Sequence, residues 1–271
     1  MKISIVTPSY NQDPYLLTCL KSVSMQTHKD FEHIVIDGKS TDRSIQILEV
    51  FRQLDDRLCF SSETDSGQGD AVNKGFSKVS GDIVAWINSD DYFFDNKVFE
   101  YVVNFFKSNP NVDIIYGGMA YVDAEDNLQH IRVPPAYNYS LLTMISYIGN
   151  TNTFVRKKVI DRHVLDINYH FVIDHEYMLR ITKDFTAIRT KRMIGCFRVH
   201  SEAKTQTLSN DSKNVERLRR DSFHKITTGF IFNTVRVFAR IKYRLSLLYT
   251  DFIFLKHWKK KSPYKSFIEP E

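Results

Sequence analysis

The sequence predicts an α/β protein with a mostly parallel, Rossmann-like sheet flanked by helices, followed by a helical C-terminal extension. Three observations carry this. Strand-like and helix-like patterns alternate through residues 1–123, as in consecutive β-α units. Acidic residues recur just after the strand-like runs, where open parallel sheets bind ligands. From position 211 the chain turns basic, aromatic and helical.

The elements follow in order. Ile3–Thr7 is a short strand-like run that breaks at Pro8, and Pro14–Gln26 has helical apolar spacing. Phe31–Asp37 is the second strand. Thr41–Phe51 is the second helix, with Ser40 or Thr41 as its cap and Asp42 in its first turn. Leu58–Ser62, Asp82–Ile87 and Val112–Val122 read as further strands, and Asp70–Val79 and Asn96–Lys107 as the helices between them. Beyond about residue 124 the alternation stops. Segment 124–200 reads as irregular around Pro134–Pro135, with a helix near Asp174–Thr182 and a strand near Arg192–Arg198. The expected division is a body of 1–210, in halves 1–123 and 124–210, and a tail of 211–271.

Composition narrows the function classes. The chain is 42% hydrophobic and 25% charged, which suits a folded domain. Cys19, Cys59 and Cys196 form no paired motif and read as reduced thiols of a cytosolic protein, not as a zinc site. The N-terminus lacks the pattern of a signal peptide, and no apolar run reaches the length of a spanning helix. Residues 211–271 hold 14 Lys and Arg against 6 Asp and Glu, a net of +8. The rest of the chain is therefore at −3, from a total of +5. A near-neutral body with a basic tail is not a uniformly basic nucleic-acid binder.

Several motifs fail on inspection. Gly38-Lys39-Ser40-Thr41 resembles the end of a phosphate loop, but position 33 is His where the motif needs Gly. The turn after the first strand has no glycine, which argues against a dinucleotide cofactor. No G-x-S-x-G elbow is present. His170 and Asp174 stand four apart on a helical stretch and read as a surface pair more readily than as metal ligands.

The chemistry concentrates at strand ends. Asp37 closes the second strand, Asp65 follows the third, and Asn88-Ser89-Asp90-Asp91 ends the fourth. A single Asp at a strand end is ordinary turn chemistry. Four around one crevice point to a shared ligand. Adjacent carboxylates repel, so Asp90-Asp91 calls for a cation or hydrogen-bond donors. Mg²⁺ or Mn²⁺ takes one or two carboxylates together with substrate phosphates. Taken alone, the pair could equally be a solvated cap before the next helix.

Three segments resemble a known family. VTPSYNQ-x2-YL-x2-CL-x-SV-x2-QT, FEHIVIDGKSTDRS and ETDSGQGDAVNKGF-x3-SGDIVAWINSDD are similar to the motifs of glycosyltransferase family 2, which has the GT-A fold; the last resembles a bacterial subgroup with a WxNSDD-type metal motif. The resemblance implies an inverting glycosyltransferase that uses a nucleotide-sugar donor and Mg²⁺ or Mn²⁺. It implies that Pro8 and Tyr10 line the base, that Asp37 lies near the nucleoside and that Asp65 lies beside base or ribose. Asn88 and Asp90 would belong to the donor site, Asp90 at ribose or diphosphate. Asp91 would hold the metal. Asp174 would be the catalytic base, and His200, in FRVHSEAKT, would meet metal or diphosphate. Gly38 stands where many members have a second acid, so their carboxylate contact to uracil is missing. Asn88 replaces the first acid of the metal motif, and Ile173 precedes Asp174 where an acid is usual. Trp86 reads as core, and Tyr10 as a ligand-facing aromatic. A nucleotidyltransferase would need a Gly-rich basic loop after strand one, which VTPSYNQ lacks. A non-catalytic nucleotide-sugar-binding module remains the other alternative. The expected acceptor is a glycan or a lipid-linked intermediate, in bacterial surface polysaccharide or glycolipid synthesis.

In the tail, Ile231, Val235, Phe238, Ile241, Leu245, Leu248, Phe252 and Leu255 recur at helical steps, with Arg and Lys between them. One reading is a helix packed on the body. The other, favoured by the charge contrast, is an interfacial helix on an anionic leaflet. It implies a cytoplasmic protein held peripherally on the inner face of the membrane.

Overall fold

The computed structural model describes residues 1–169 and 172–203. The tail at 211–271 and His170 lie outside the described residues. The chain runs β1 (Ile3–Ser9), α1 (Asp13–Ser24), β2 (Phe31–Asp37), α2 (Ser44–Leu54), β3 (Leu58–Ser62), α3 (Gln68–Phe76), β4 (Ile83–Trp86), β5 (Tyr92–Phe93) and α4 (Val98–Ser108). It continues through β6 (Ile114–Val122), β7 (Leu128–Arg132), α5 (Tyr139–Met144), β8 (Thr153–Arg156), α6 (Lys157–Arg162), α7 (Ile173–Asp184) and β9 (Ala187–Arg198).

The described strands form one sheet in the order β3-β2-β1-β4-β8-β6-β9-β5, with β7 on β6. β1, β2, β3 and β4 pair in parallel. β8 enters antiparallel between β4 and β6, so β6 and its parallel partner β9 run the same way as β1. The sheet is thus mixed, with β5, β7 and β8 reversed. All the remaining strands end at the same edge, which is where the acidic residues collect.

Burial explains the composition of the strands. All seven residues of β1 are buried, because helices cover both faces and leave no polar side to alternate with. On one face α3 and α7 bring Val72, Phe76, Met178 and Ile181 onto Val6, Ile34 and Trp86. On the other, α1 and α4 bring Cys19, Val23, Phe99 and Phe106 onto Ile3, Ile5 and Ile83. Each large side chain so buried contributes about 1.5–3 kcal/mol. Trp86, 5% exposed, is a core residue as its strand pattern indicates.

Two sequence expectations change. Helix α2 starts at Ser44, not Thr41, and neither Ser40 nor Thr41 caps it. Ser40 instead gives its N–H and hydroxyl to Asp37, while Asp42 Oδ1 accepts the Ser44 N–H at 2.9 Å. Segment 124–200 is not irregular. It holds β7, α5, β8 and α6, each of six residues or fewer, too short for periodicity to reveal.

Gly195 marks the tightest crossing. A Cβ there would overlap the Thr151 carbonyl oxygen, in the loop that joins α5 to β8. Gly195→Ala is expected to cost about 1–3 kcal/mol, the usual range for overpacking. Thermal melts measure it; an unchanged Tm would show that the loop gives way freely.

Candidate active site

A cleft of about 400 Å³ opens at the common edge of the strands. Pro8, Tyr10, Asp65, Asn88, Asp90 and Asp174 all line it, so the structure brings together six of the nine residues selected from sequence. Asp37, Asp91 and His200 are buried next to it.

Asp37 is fully buried and works within the protein. Its Oδ1 accepts the Ser40 hydroxyl, and its Oδ2 accepts the Ser40 N–H and the Ser62 hydroxyl, at 2.9 and 2.7 Å. It pins the loop after β2 to the end of β3. The polar group that faces the cleft here is Asp65. Its Oδ1 accepts the Gly67 N–H at 2.8 Å, and Gly67 takes φ 107°, a left-handed backbone that favours glycine. A Cβ on Gly38 would come within 2.8 Å of Asp65 Oδ2 and 3.3 Å of the exposed Tyr10 ring. The missing side chain at position 38 therefore makes room for the Asp65 carboxylate beside Tyr10. Gly38→Ala is expected to displace Asp65 and weaken nucleotide binding with little change in stability. Nucleotide titrations and melts on the same samples check this; unchanged affinity would place Asp65 outside the base pocket.

The end of β4 separates its two carboxylates. Asp91 is 1% exposed and points inward: Oδ1 accepts the Arg198 N–H at 2.9 Å and Oδ2 the Thr151 hydroxyl at 2.7 Å. Burial, with the Asp90 charge behind it, pushes its carboxyl well above the usual range. Asp90 faces the cleft, with Oδ2 3.1 Å from His200 Nε2. Asn88 spans the two sides. Its Oδ1 accepts from Gln68 Nε2 at 2.6 Å and from Trp86 Nε1 at 3.0 Å, and its Nδ2 reaches Asp91 Oδ2 at 3.5 Å. The resemblance implies a metal at Asp91 and His200; Asp91 is turned inward and it is Asp90 whose Oδ2 lies beside His200. Among the described residues no three His, Cys, Asp or Glu side chains converge as a metal cage.

Arg198 was missed from sequence. It is 1% exposed, and Nε and Nη1 of its guanidinium both have partners. Nε donates to the Asp90 carbonyl at 3.0 Å and Nη1 to the Ala124 carbonyl at 3.1 Å, and Nη1 forms an ion pair with Asp126, 2.8 Å from its Oδ1. It also lies 4.7 Å over the Tyr15 ring, whose centroid is 4.6 Å from that of His200. A buried, paired arginine fixes the Asp90 loop to the β6–β7 turn. The signal was its place two residues before His200 at the end of a strand.

Asp174 sits in the first turn of α7, half-buried at the cleft wall, and its Oδ1 accepts the His175 N–H at 2.8 Å. Burial raises its carboxyl above the usual range, against the opposing effect of His175. His175 is itself pushed down by burial and donates from Nε2 to the Leu142 carbonyl at 2.7 Å. Three more cleft residues went unnoticed in the sequence. Ser9 Oγ, Gln12 Oε1 and Asn150 Nδ2 are buried without a protein partner and line the cleft. Buried polar groups are normally satisfied, so these are where a ligand's hydrogen bonds would go.

The parallel strands, the helices on both faces and the cleft at the strand ends define a GT-A-type fold. The profile of glycosyl transferase family 2 matches residues 4–182, and the chain belongs to that family. A relative, the glycosyltransferase GlyA of Streptococcus pneumoniae, is 31% identical over 143 residues, covering 47% of this chain and 20% of its own. An uncharacterised glycosyltransferase of Nostoc sp. is 30% identical over 157 residues, covering 57% of this chain and 48% of its own. The chain thus spans about half or less of the length of these relatives. Among solved structures, Staphylococcus aureus TarS 1–349 in complex with UDP-GlcNAc superposes with a TM-score of 0.63 at 18% identity, covering 84% of this chain and 68% of that one. The mannosyltransferase PcManGT of Pyrobaculum calidifontis, in complex with GDP-Man and Mn²⁺, gives 0.63 at 14% identity, covering 98% and 78%. At these identities the likeness concerns the fold.

Proposed function

We propose that the chain transfers a sugar from a nucleoside-diphosphate sugar to a hydroxyl of a glycan or lipid-linked acceptor, with inversion at the anomeric carbon. The observation that carries this reading is that Asp174, with its raised carboxyl, shares one cleft with Asp90 and with the Pro8–Tyr10 loop. The complexes of the two structural neighbours, with UDP-GlcNAc and with GDP-Man and Mn²⁺, support a donor of this class.

The residues divide the work as follows. Pro8, Tyr10 and Asp65 hold the base and ribose. Asn88 shapes the floor by bracing Trp86 and Gln68. Asp37 serves the donor loop from below. Asp174 takes the proton of the acceptor hydroxyl as attack begins, and burial tunes its carboxyl toward that role. Direct displacement needs no covalent sugar–enzyme intermediate.

The donor set fits a divalent cation. One carboxylate oxygen and one imidazole nitrogen stand 3.1 Å apart, on Asp90 in the cleft and on His200 buried beside it. Mg²⁺ or Mn²⁺ commonly accepts so few protein ligands and completes its shell with phosphate and water. Asp90 and His200 would hold it, while Asp91 braces the loop from behind. A bound cation supplies charge to offset that of a departing diphosphate.

The test is incubation with UDP-, GDP- and dTDP-sugars, with and without Mn²⁺, followed by nucleoside diphosphate release. Release of pyrophosphate would favour a nucleotidyltransferase, and binding without turnover a non-catalytic module. A thermal-shift screen of UDP, GDP, dTDP and CMP would identify the base.

The setting, bacterial surface polysaccharide or glycolipid synthesis at the inner face of the cytoplasmic membrane, rests on the basic tail of the sequence. No helix among the described residues is long and apolar enough to cross a membrane. The full chain is expected to co-sediment with anionic vesicles and to be released by salt, since each near-surface Lys or Arg adds about 1 kcal/mol. Equal sedimentation with neutral vesicles would remove the membrane reading.

A further inference from the structure

The carboxyl ends of β6 and β9 carry a row of rings that the donor reading leaves unused. Tyr121 of β6 is paired directly with His130 of β7 on one side and Phe197 of β9 on the other. Directly paired residues present their side chains on one face of the sheet. The His130 and Tyr121 rings stack with centroids 4.2 Å apart at 14°, and Tyr121 lies 5.3 Å from Phe197. Phe197 is also a wall of the cleft. The row therefore starts inside the cleft and ends at His130, which is exposed. Arg132, on the same face, places its guanidinium 4.9 Å from the Tyr121 centroid, and its Nε is buried without a partner.

This face is not core packing. The next positions, Val122 and Arg198, turn to the other face and are buried, while Tyr121 and Phe197 stay half-exposed. The row is also fixed in place. Arg198, the neighbour of Phe197, clamps the β6–β7 turn through Asp126 and Ala124 to the Asp90 carbonyl. The rings thus keep a set position relative to Asp90.

We propose that His130, Tyr121, Phe197 and Arg132 form the subsite for a saccharide acceptor, with its pyranose units extending from the cleft along β6 and β7. The proposal rests on the glycosyltransferase reading. A pyranose has apolar C–H faces and a rim of hydroxyls. Aromatic side chains give such faces a large contact area and, in Tyr, a polar end for the rim. The unpartnered Arg132 Nε adds a donor for a hydroxyl oxygen. A lipid chain would want a continuous aliphatic surface, which the interleaved His and Arg interrupt. Continuity with the cleft at Phe197 puts the growing end of such an acceptor, with its free hydroxyl, near Asp174, which lines the same cleft.

The test is saturation-transfer NMR on the full chain with UDP present. The probes are the methyl pyranosides of glucose, galactose, mannose and N-acetylglucosamine. Transfer to the ring C–H protons of at least one of them is expected. Tyr121→Ser should abolish it, and His130→Ala, at an exposed position that the fold tolerates, should reduce it. Melting curves confirm that each variant is folded. No transfer to any of the four probes, or equal transfer in both folded variants, would overturn the proposal. A wild-type chain that takes a glycoside but shows no nucleotide-dependent rise in Tm would keep the saccharide subsite and lose the donor reading instead.

Discussion

Asp174→Asn is expected to lower turnover by about 10²–10⁴-fold, the usual contribution of a positioned general base. The side chain keeps its size, so the cleft wall and the hydrogen bond from the His175 N–H persist. Nucleotide affinity should therefore hold while the rate falls. The wild-type pH profile provides a second check. A base works only when deprotonated, so activity should rise with pH through the carboxyl's own titration. Burial raises that carboxyl, so the rise should lie above the range of an ordinary aspartate. Burial pushes His175 down as it raises Asp174, so both shifts disfavour the charged forms of the pair. A variant that loses nucleotide binding along with rate, or a wild-type profile flat across mildly acidic pH, would give Asp174 a structural role.

Parallel strands β1, β2 and β4 were legible because their buried centres read as short apolar runs, Ile34–Ile36 in β2 and Ile83–Trp86 in β4. The second half was not. β8 has four residues and α6 six, and neither repeats often enough to show a period. The place of β8, reversed between β4 and β6, depends on pairing partners far away in the chain. Site residues followed the same logic. Acids on strand ends could be named from the sequence, as could Asp174. What could not be read was direction. Asp90 and Asp91 are adjacent and chemically alike, and only β9 decides which one turns inward, by offering the Arg198 N–H. Ser9 and Gln12 lie in the VTPSYNQ motif, but nothing singles them or Asn150 out until their unpartnered atoms are seen at the cleft.

Whether the cation is held at Asp90 or at Asp91 can be measured, and the effects should be large. Asp90→Ala removes the carboxylate that stands by His200 without opening the core, since its side chain is 20% exposed. Mn²⁺-dependent donor binding should be lost, with a smaller drop in the Tm of the metal-free protein than for Asp91→Ala, since only the His200 contact is released. Asp91→Ala should behave in the opposite way. It leaves the Arg198 N–H and the Thr151 hydroxyl without their acceptor in a buried site. Each such orphaned donor costs about 1–3 kcal/mol, so the Tm should drop by several degrees. Loosening the loop behind Asp90 would also weaken the metal, as the loss of an outer partner does, by about 10–100-fold. The decisive comparison is thus Mn²⁺ titration beside thermal denaturation for both variants. If Asp91→Ala abolishes the Mn²⁺ response with its Tm intact, while Asp90→Ala keeps that response, the cation belongs to Asp91 and the inward turn of its carboxylate is not the state that binds donor.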